Sequence, residues 1–308
     1  MSPAQRPGNS SGSAAVRRTV AQLGGWSGAI GAMVVLAIVL IAVLAPWVAP
    51  YDPVALNLEI KLQPPDWAHW FGTDQAGRDI LSRTIWGARA SLLVGVLAVS
   101  IGLVGGIGLG LVAAYYTGRL IEQLIMRTVD AVASIPLLIW AIAVVGIVGV
   151  GPVSIGPFSF ANEFKLLVLI GLLYIPGLAR VTYTVAQAEV VADYVRARRV
   201  QGARDLAIML GDVLPNCLSP LIVQGTLLVA IGIVVEASVS FVGLGVQPPT
   251  PSWGTMLADS RNYLFSGEWW LPVFPGLGIS VTVVGFNLLG DALRDLLDPR
   301  RSTGGLIA

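Results

Sequence analysis

Residues 90–118 read ASLLVGVLAVSIGLVGGIGLGLVAAYYTG and contain no Asp, Glu, Lys or Arg. A helix needs roughly 20 predominantly apolar residues to cross the hydrocarbon core of a bilayer, so this stretch can span a membrane. Four more long charge-free stretches lie at 19–51, 131–162, 213–235 and 269–290, and a sixth, at 166–188, is interrupted only by Arg180. The pattern predicts an all-α integral membrane protein with six transmembrane helices, near residues 27–49, 91–115, 126–150, 165–187, 219–243 and 272–293.

The overall composition agrees with a protein that uses the bilayer as its solvent. Of the 308 residues, 55% are hydrophobic and only 12% are charged, and the mean hydropathy is +0.77. Soluble domains carry about 25% charged residues, and no soluble core explains the loss of half of them. The net charge is +1, and no basic stripe runs along the chain. Nucleic acid is therefore not expected as a partner.

The distribution of Arg and Lys predicts the orientation of the chain. If the N-terminus is cytosolic, thirteen of the 19 basic residues lie inside and six lie outside, as the positive-inside rule requires. Residues 1–20 are rich in Ser, Gly, Pro and Arg and have no acidic residue, so we expect a disordered cytosolic tail over 1–25. Six spans return the C-terminal tail, 295–308, to the cytosol. The basic residues assigned to the outside are Lys61, Arg78, Arg83, Arg89, Lys165 and Arg261.

Small and helix-bending residues occur inside the predicted spans. Gly102, Gly106 and Gly110 are four residues apart, a spacing that lets another helix backbone approach closely. Pro136 and Pro176 each free a carbonyl group and can bend a helix, although proline is also simply more frequent in membrane helices.

Polar side chains within the last two spans are the candidates for a translocation pathway. Glu236 lies within the fifth span, where a carboxylate costs roughly 2.5–3.5 kcal/mol on insertion scales. It therefore faces either a partner or a water-filled cavity, or it lies near the outer surface and is solvated. We expect Glu236, Ser238, Ser240 and Asn287 to line the pathway. Arg127 and Asp130 are three residues apart at the start of the third span and are expected to pair locally.

The sequence offers no catalytic, nucleotide or metal site. A phosphate-binding loop needs Gly-Lys-Ser or Gly-Lys-Thr, whereas Lys61 follows Ile60 and Lys165 follows Phe164. With one histidine, His69, and one cysteine, Cys217, neither a zinc-protease motif nor a disulfide within the chain is possible. We expect no cofactor, no metal and no catalytic residue in this chain.

Residues 188–216, which we call the coupling loop, form the most informative segment outside the spans. The first half is charged and compatible with a helix, and Gly202 is suited to a positive φ at the end of that helix. After it, Leu206, Met209, Leu210 and Val213 recur at helical spacing and predict a short helix with an apolar stripe. Pro215 would then open the next helix. The stripe is buried either against the membrane or the protein's own helices, or in a groove of a cytosolic partner.

The coupling loop resembles the loop shared by permease subunits of bacterial ATP-binding-cassette (ABC) importers. The family pattern is Glu-Ala-Ala, three residues, Gly, nine residues, Ile, one residue and Leu-Pro. Gly202, Leu214 and Pro215 match at the family spacing, and Ala197 matches the first Ala. Three positions depart from it, because Arg196 replaces Glu, Arg198 replaces the second Ala and Asp212 replaces Ile. The resemblance implies that the loop contacts an ATPase through Arg196, Ala197, Arg198, Arg199, Gly202, Ala203, Arg204, Asp205, Leu206, Met209, Leu214 and Pro215.

Three further stretches are similar to the dipeptide, oligopeptide and nickel permeases within that family. The segment before their second span resembles FGTDQAGRDILSR at 71–83. The end of their fifth span resembles EASVSFVGLG at 236–245, and their C-terminal ending resembles DLLDP at 295–299. With the long connection after the first span, these features indicate the C-type subunit. The implied fold is a type I ABC importer transmembrane domain in the bacterial cytoplasmic membrane. Residues 26–90 would form the first transmembrane helix and an extracytosolic loop with an amphipathic segment. Residues 91–294 would form the permease core.

The resemblance implies partners as well. They are a B-type permease subunit, two ATPase subunits or one fused ATPase, and an extracytosolic solute-binding protein, with ATP bound only by the ATPases. The implied substrate is a di- or oligopeptide, and nickel chelates, glutathione or glycans remain alternatives. A rival interpretation from another class is a self-contained secondary transporter or channel, which needs coupling-ion or filter residues near the midplane. Glu236 is a candidate for such a residue, and one residue is weak support for a secondary transporter or channel.

Overall fold

The structure is a computed structural model that describes residues 25–149, 151, 153–155, 158–160 and 162–297. Most of both predicted terminal tails, 1–25 and 295–308, lies outside these residues. Within them, five helices are long and apolar enough to cross a membrane, and a sixth span results if one sharply bent helix pair is counted as one. The prediction of a helical membrane protein with six spans is therefore confirmed.

A long connection separates the first two spans. The first spans are α1 (Trp26–Val43), continued by the short α2 (Ala45–Val48), and α3 (Ile80–Tyr115). The bent pair is α4 (Leu120–Ala133) and α5 (Leu137–Val148), after which come α6 (Asn162–Val190) and α7 (Asp193–Val200). The remaining elements are α8 (Asp205–Ala207), a π-helical segment (Ile208–Val213), α9 (Leu214–Phe241), α10 (Trp253–Ser260) and α11 (Trp270–Leu297). Single 3₁₀ turns lie at Leu58–Ile60 and Arg261–Tyr263.

A hairpin between α5 and α6 was not predicted. Strands β1 (Val153–Ile155) and β2 (Phe158–Phe160) pair antiparallel, with Val153 opposite Phe160 and Ile155 opposite Phe158. Each strand has three residues, so the hairpin is a local feature of one connection and leaves the all-α class unchanged.

The closest helix contact in the bundle joins α3 to α6 through the predicted glycine face. A Cβ atom added at Gly106 would lie 2.5 Å from Cβ of Leu178, and one added at Gly102 would lie 2.7 Å from Cβ of Tyr174. Such distances are too short for real side chains, so only glycine lets the two backbones meet here. The prediction of a close helix approach at Gly102, Gly106 and Gly110 is confirmed.

The third span is broken rather than continuous. The axes of α4 and α5 differ by 84°, and the break falls on the Ser134-Ile135-Pro136 sequence. Pro136 has no N–H to donate and stands immediately before the first residue of α5. Pro176, by contrast, lies inside the uninterrupted helix α6. Of the two prolines that could bend a span, Pro136 therefore coincides with a break of the helix.

The second span begins eleven residues before the predicted position 91. Asp79 caps its first turn, because its carboxylate accepts a hydrogen bond from the Ser82 N–H at 2.7 Å. The charged side chain of Arg83 is buried and lies 3.5 Å from Asp74 and 3.7 Å from Asp259. These ion pairs join the connection after α1 to α10 at the end of the bundle opposite the coupling loop.

The predicted local pair of Arg127 with Asp130 is wrong. Asp130 accepts a hydrogen bond from the Arg180 guanidinium at 2.5 Å, which joins α4 to α6. The pairing across two helices replaces the one along a single helix because α6 brings Arg180 alongside α4. Arg180, the only charged residue in the stretch 166–188, thus links two helices.

Candidate functional site

The first half of the coupling loop is a short helix that ends at Gly202. In α7 the backbone N–H groups of Gln201 and Gly202 donate to the carbonyl groups of Ala197 and Arg199, both at 3.0 Å. Gly202 has φ of 78°, a conformation that costs an L side chain roughly 1–2 kcal/mol. The predicted positive φ at Gly202 is confirmed, and the turn reverses the chain between α7 and α8.

The second half of the coupling loop is continuous with the next span. Residues Asp205 to Phe241 run without a break through α8, the π-helical segment and α9. The predicted position of Pro215 at the start of the next helix is confirmed, but that helix continues directly from the segment before it. Pro215 lies in the first turn of α9, directly after the π-helical segment, where the regular i→i−4 hydrogen bonding is already interrupted. The second half of the coupling loop is thus the end of a long helix.

The predicted apolar stripe is divided along its length. Leu206 and Leu210 are 62% and 52% exposed, whereas Met209 and Val213 are buried. Val213 packs with Ile208 and Cys217 in an apolar cluster formed with the ends of α3 and α6. The predicted contact of Met209 with an ATPase is therefore wrong for this conformation, whereas Leu206 is accessible. The physical reason is the π-helical segment, whose i→i+5 hydrogen bonding alters which residues share a face.

Charged residues of the coupling loop find partners within the protein. Arg198 Nε lies 3.1 Å from Asp212 Oδ2, a pair that spans the turn at Gly202. Asp205 accepts hydrogen bonds from the hydroxyl groups of Tyr115 at 2.6 Å and Tyr116 at 3.2 Å. These tyrosines end α3, so Asp205 ties the start of the continuous helix to the second span. The guanidinium of Arg199 lies 4.7 Å from the centre of the Tyr115 ring.

The other predicted contact residues are distributed over the same surface. Arg196 lies 3.4 Å from Asp193, and both side chains are largely exposed. The exposed positions are Arg196, Ala197, Arg198, Arg199, Gly202, Arg204, Asp205, Leu206 and Pro215, while Ala203 and Leu214 are partly buried. Leu214 and Ala203 both pack against the apolar cluster that holds Val213. Eleven of the twelve predicted positions are therefore at least partly accessible, with Met209 as the exception.

Tyr194 joins the two halves of the coupling loop and was missed by sequence reasoning. Its hydroxyl donates to Glu189 Oε2 at 2.6 Å and accepts from Asn216 Nδ2 at 2.9 Å. Partial burial, followed by the hydrogen bond to the Glu189 carboxylate, raises the pKa of Tyr194 above its usual value. No local pattern reveals this role, because the partners lie five and 22 residues away.

Glu236 is fully buried and hydrogen-bonded inside this subunit. Its carboxylate accepts from Ser91 Oγ at 2.8 Å and from Ser240 Oγ at 2.7 Å. The alternative in which Glu236 lies shallow and solvated is wrong. Ser240 Oγ also accepts from the Val246 N–H, so the cluster fixes the chain where it leaves α9.

The predicted pathway residues do not form one surface. Glu236 and Ser240 are buried together, Ser238 donates to the Val234 carbonyl of its own helix at 2.7 Å, and Asn287 is exposed on α11. A buried pair cannot line an open passage in the conformation described here. The prediction of Glu236 and Ser240 as lining residues is therefore wrong for this conformation.

A cleft of about 540 Å³ with a mixed polar and apolar lining lies between α6, α9 and α11 and was not predicted. Its polar lining includes Asn216 and Gln224 of α9 and Asp291 and Arg294 of α11. The sequence contained a signal for this cleft. Asn216 and Gln224 are eight residues apart on α9, and Asp291 and Arg294 are three apart on α11. Such spacings place two polar residues on the same face of an apolar helix. No group of three or more His, Cys, Asp and Glu suited to a metal occurs among the described residues.

Comparisons with known proteins agree with the fold. Residues 106–303 match the family model described as binding-protein-dependent transport system inner membrane component, and residues 27–65 match the N-terminal transmembrane domain of oligopeptide transport permease C. The chain is 44% identical over 280 residues to the di/tripeptide transport system permease protein DppC of Pseudomonas aeruginosa, which covers 89% of this chain and 88% of that protein. It is also 45% identical over 277 residues to the dipeptide transport system permease protein DppC of Escherichia coli K12, which covers 88% of each chain.

Proposed function

Because the chain belongs to the family of binding-protein-dependent transport system inner membrane components, and is thus an ABC importer membrane subunit, we propose that it is the C-type permease of a peptide importer. The observation that carries the proposal is the coupling loop. It presents exposed Leu206 and Leu210 on the free end of a helix that continues through the bundle to Phe241. Exposed leucines on one face of a helix are suited to insertion into a groove of a partner protein.

The substrate we propose is a di- or oligopeptide. Support comes from the relatives named for di- and tripeptide or dipeptide transport, which share 44–45% identity with this chain over most of its length. Nickel chelates, glutathione and glycans are the alternatives that a transport measurement can separate from peptides.

The partners we propose follow from the family. A B-type permease subunit completes the translocation pathway, and the cleft between α6, α9 and α11 is this chain's contribution to that pathway. Two ATPase subunits, or one fused ATPase, bind and hydrolyse ATP, while a solute-binding protein delivers substrate from outside. This chain binds no cofactor of its own.

The proposed mechanism is the transmission of movement along a continuous helix. ATP-driven movement of the ATPases shifts the coupling loop, and the continuous helix from Asp205 to Phe241 transmits the shift across the membrane. The hydrogen bonds from Tyr115 and Tyr116 to Asp205 make α3 move with it. The Arg198–Asp212 pair and the Tyr194 hydrogen bonds keep the two halves of the loop together, so that little of the motion is lost at Gly202.

The orientation we propose places both termini and the coupling loop in the cytosol, on the basis of the Arg excess. Ala207 is exposed in the loop, and Asn57 is exposed at the opposite end. With Cys217 replaced by alanine, a cysteine introduced at Ala207 is expected to react only after reagent enters the cytosol, and one at Asn57 only from outside. Labelling of Asn57→Cys from the cytosol alone would overturn the six-span orientation.

Uptake into proteoliposomes tests the function. The chain is reconstituted with the B-type permease, the ATPases and the binding protein, and accumulation of a labelled dipeptide is measured with and without ATP. We expect ATP-dependent accumulation that excess unlabelled dipeptide abolishes. Uptake of glutathione or a nickel chelate with no dipeptide uptake would reassign the substrate. Uptake by this chain without any ATPase would favour the secondary transporter.

A further inference from the structure

A cavity of about 760 Å³ lies between the coupling loop and the ends of α3 and α6. Arg196 and Arg199 of α7 project into it, and Thr117, Thr184 and Gln187 supply polar groups from the neighbouring elements. None of the described residues that line the cavity is acidic. The cavity therefore concentrates positive charge without a counter-charge of its own.

The acidic residues nearby offset the charge of the two arginines only in part. Asp212 pairs with Arg198, and Asp193 lies 3.4 Å from Arg196, but the Asp193 side chain is 98% exposed, so water screens that pair strongly. Asp205 accepts two tyrosine hydroxyl groups, and its carboxyl pKa is lowered by the Tyr115 hydrogen bond and, to a lesser degree, by Arg199. Arg199 rests on the Tyr115 ring, which holds the guanidinium in place. The two arginines are thus fixed at a rim and remain available to an anion.

We propose that the cavity receives an acidic side chain of the ATPase subunit, whose carboxylate binds between Arg196 and Arg199. The inference rests on the proposed function, since it places the ATPase on the coupling loop. It also reverses the charge expected from the family pattern, because arginine stands at position 196 where that pattern has glutamate. The fitting partner surface is therefore an acidic one with an apolar border.

The shape and lining of the cavity favour a protein segment over a small anion. A volume near 760 Å³ is that of a site for a sizeable ligand and exceeds what one phosphate would fill. Val190, Val191 and Ala114 provide apolar surface beside the arginines. Val191 and Val200 are exposed next to them in the chain, so a segment that inserts its carboxylate also covers apolar side chains.

Retention of the ATPase at increasing salt concentration tests the inference. The tagged chain, in complex with its B-type partner, is titrated with ATPase at low and high ionic strength. Arg196→Gln and Arg199→Gln are each expected to weaken ATPase binding about two- to five-fold at low salt and to reduce its salt dependence. Arg127→Gln is the matched control, because it removes one exposed arginine of α4 that neither lines the cavity nor belongs to the predicted ATPase contacts.

The outcomes separate the inference from the proposed function. If the unaltered complex does not hold ATPase at any salt concentration, the proposed function fails. If the unaltered complex holds ATPase and Arg196→Gln and Arg199→Gln bind like it, or if Arg127→Gln weakens binding equally, the cavity is not the acidic contact. Binding of inorganic phosphate that depends on both arginines, with ATPase retention unchanged in the variants, would assign the cavity to a small anion and overturn the proposal. Insertion and co-purification of the B-type partner check that each variant is folded.

Discussion

Arg198 and Asp212 form an ion pair of 3.1 Å across the turn at Gly202. Both stand at positions where the coupling loop departs from the pattern of related permeases, in which the residues are alanine and isoleucine. The two departures from the pattern compensate each other, because Arg198 and Asp212 form an ion pair. Either residue alone would lack its oppositely charged partner. The pair joins α7 to the π-helical segment and so stabilises the reversal of the chain.

Exchanging the two charges tests this compensation. Arg198→Asp alone places two carboxylates together, and Asp212→Arg alone places two guanidinium groups together, so each is expected to loosen the turn. The side chains are 44% and 22% exposed, which limits the pair to about 0.2–1 kcal/mol. Amide hydrogen exchange at 199–203 should accelerate about 1.4- to 5-fold in each single variant and return to the original rate in the exchanged double variant. A double variant that exchanges as fast as the singles would contradict the pairing.

The buried Glu236 is expected to stabilise the exit from α9 rather than to line the pathway. Glu236→Ala removes the acceptor of two serine hydroxyl groups and leaves a cavity, so we expect a loss of about 2–5 kcal/mol in the free energy of unfolding. Glu236→Gln keeps the shape and an acceptor oxygen and should lose much less. Ser238→Ala is the control, since that hydroxyl only bonds to its own helix. Thermal unfolding in detergent provides the measurement, and wild-type stability of Glu236→Ala would contradict the assigned role.

The contact between α3 and α6 predicts opposite outcomes for two glycines two positions apart. A Cβ at Gly106 meets Cβ of Leu178 at 2.5 Å, whereas no atom lies within 4 Å of one at Gly108. Gly106→Ala should therefore destabilise the subunit by about 1–3 kcal/mol, as overpacking does. Gly108→Ala should leave the melting temperature unchanged or slightly higher, because alanine favours the helix. Equal melting temperatures for the two variants would show that the helices do not meet at Gly106.

The sequence predicted what depends on local chemistry. The spans follow from the absence of charge, the close helix approach from the spacing of Gly102, Gly106 and Gly110, and the turn from Gly202. What it could not predict depends on distant partners. Arg83 was assigned to the outside before the second span, yet its charge is buried beside Asp259, far along the chain, and α3 starts earlier than predicted. Met209 was wrongly predicted to be accessible to a partner, because an apolar pattern of period 3.6 does not reveal a π-helical segment.

Substitution of Gly202 tests the turn without a steric clash. No atom lies within 4 Å of an added Cβ, so the expected cost of Gly202→Val arises from φ of 78° alone. We expect the variant to insert and to assemble with the B-type partner but to lose most ATP-dependent peptide uptake. Gly202→Asn should retain much more uptake, because asparagine adopts positive φ more readily. If valine and asparagine have the same effect, the conformation of the turn is not what matters.

The division of the apolar stripe makes the sharpest test of how the coupling loop is used. Leu206 is 62% exposed, so Leu206→Asp removes an apolar contact from the surface without burying a charge in this subunit. Met209 is 8% exposed, so Met209→Asp places a carboxylate in the protein interior, where an uncompensated charge is strongly destabilising. Both variants add the same charge to the same loop, and they differ only in which side of the helix receives it.

We therefore expect two separable defects. Leu206→Asp should insert, keep its melting temperature and hold the B-type partner, but retain little ATPase when the complex is purified through a tag on this chain. Met209→Asp should lower the melting temperature or prevent accumulation of the subunit before any ATPase is added. Leu206→Ala is the graded control, because it shortens the contact without adding charge and should weaken retention less. A Leu206→Asp complex that carries ATPase at the original stoichiometry would show that the exposed leucines are not the contact. The ATPase would then be held by charge alone, at Arg196 and Arg199, and its retention would disappear at high salt.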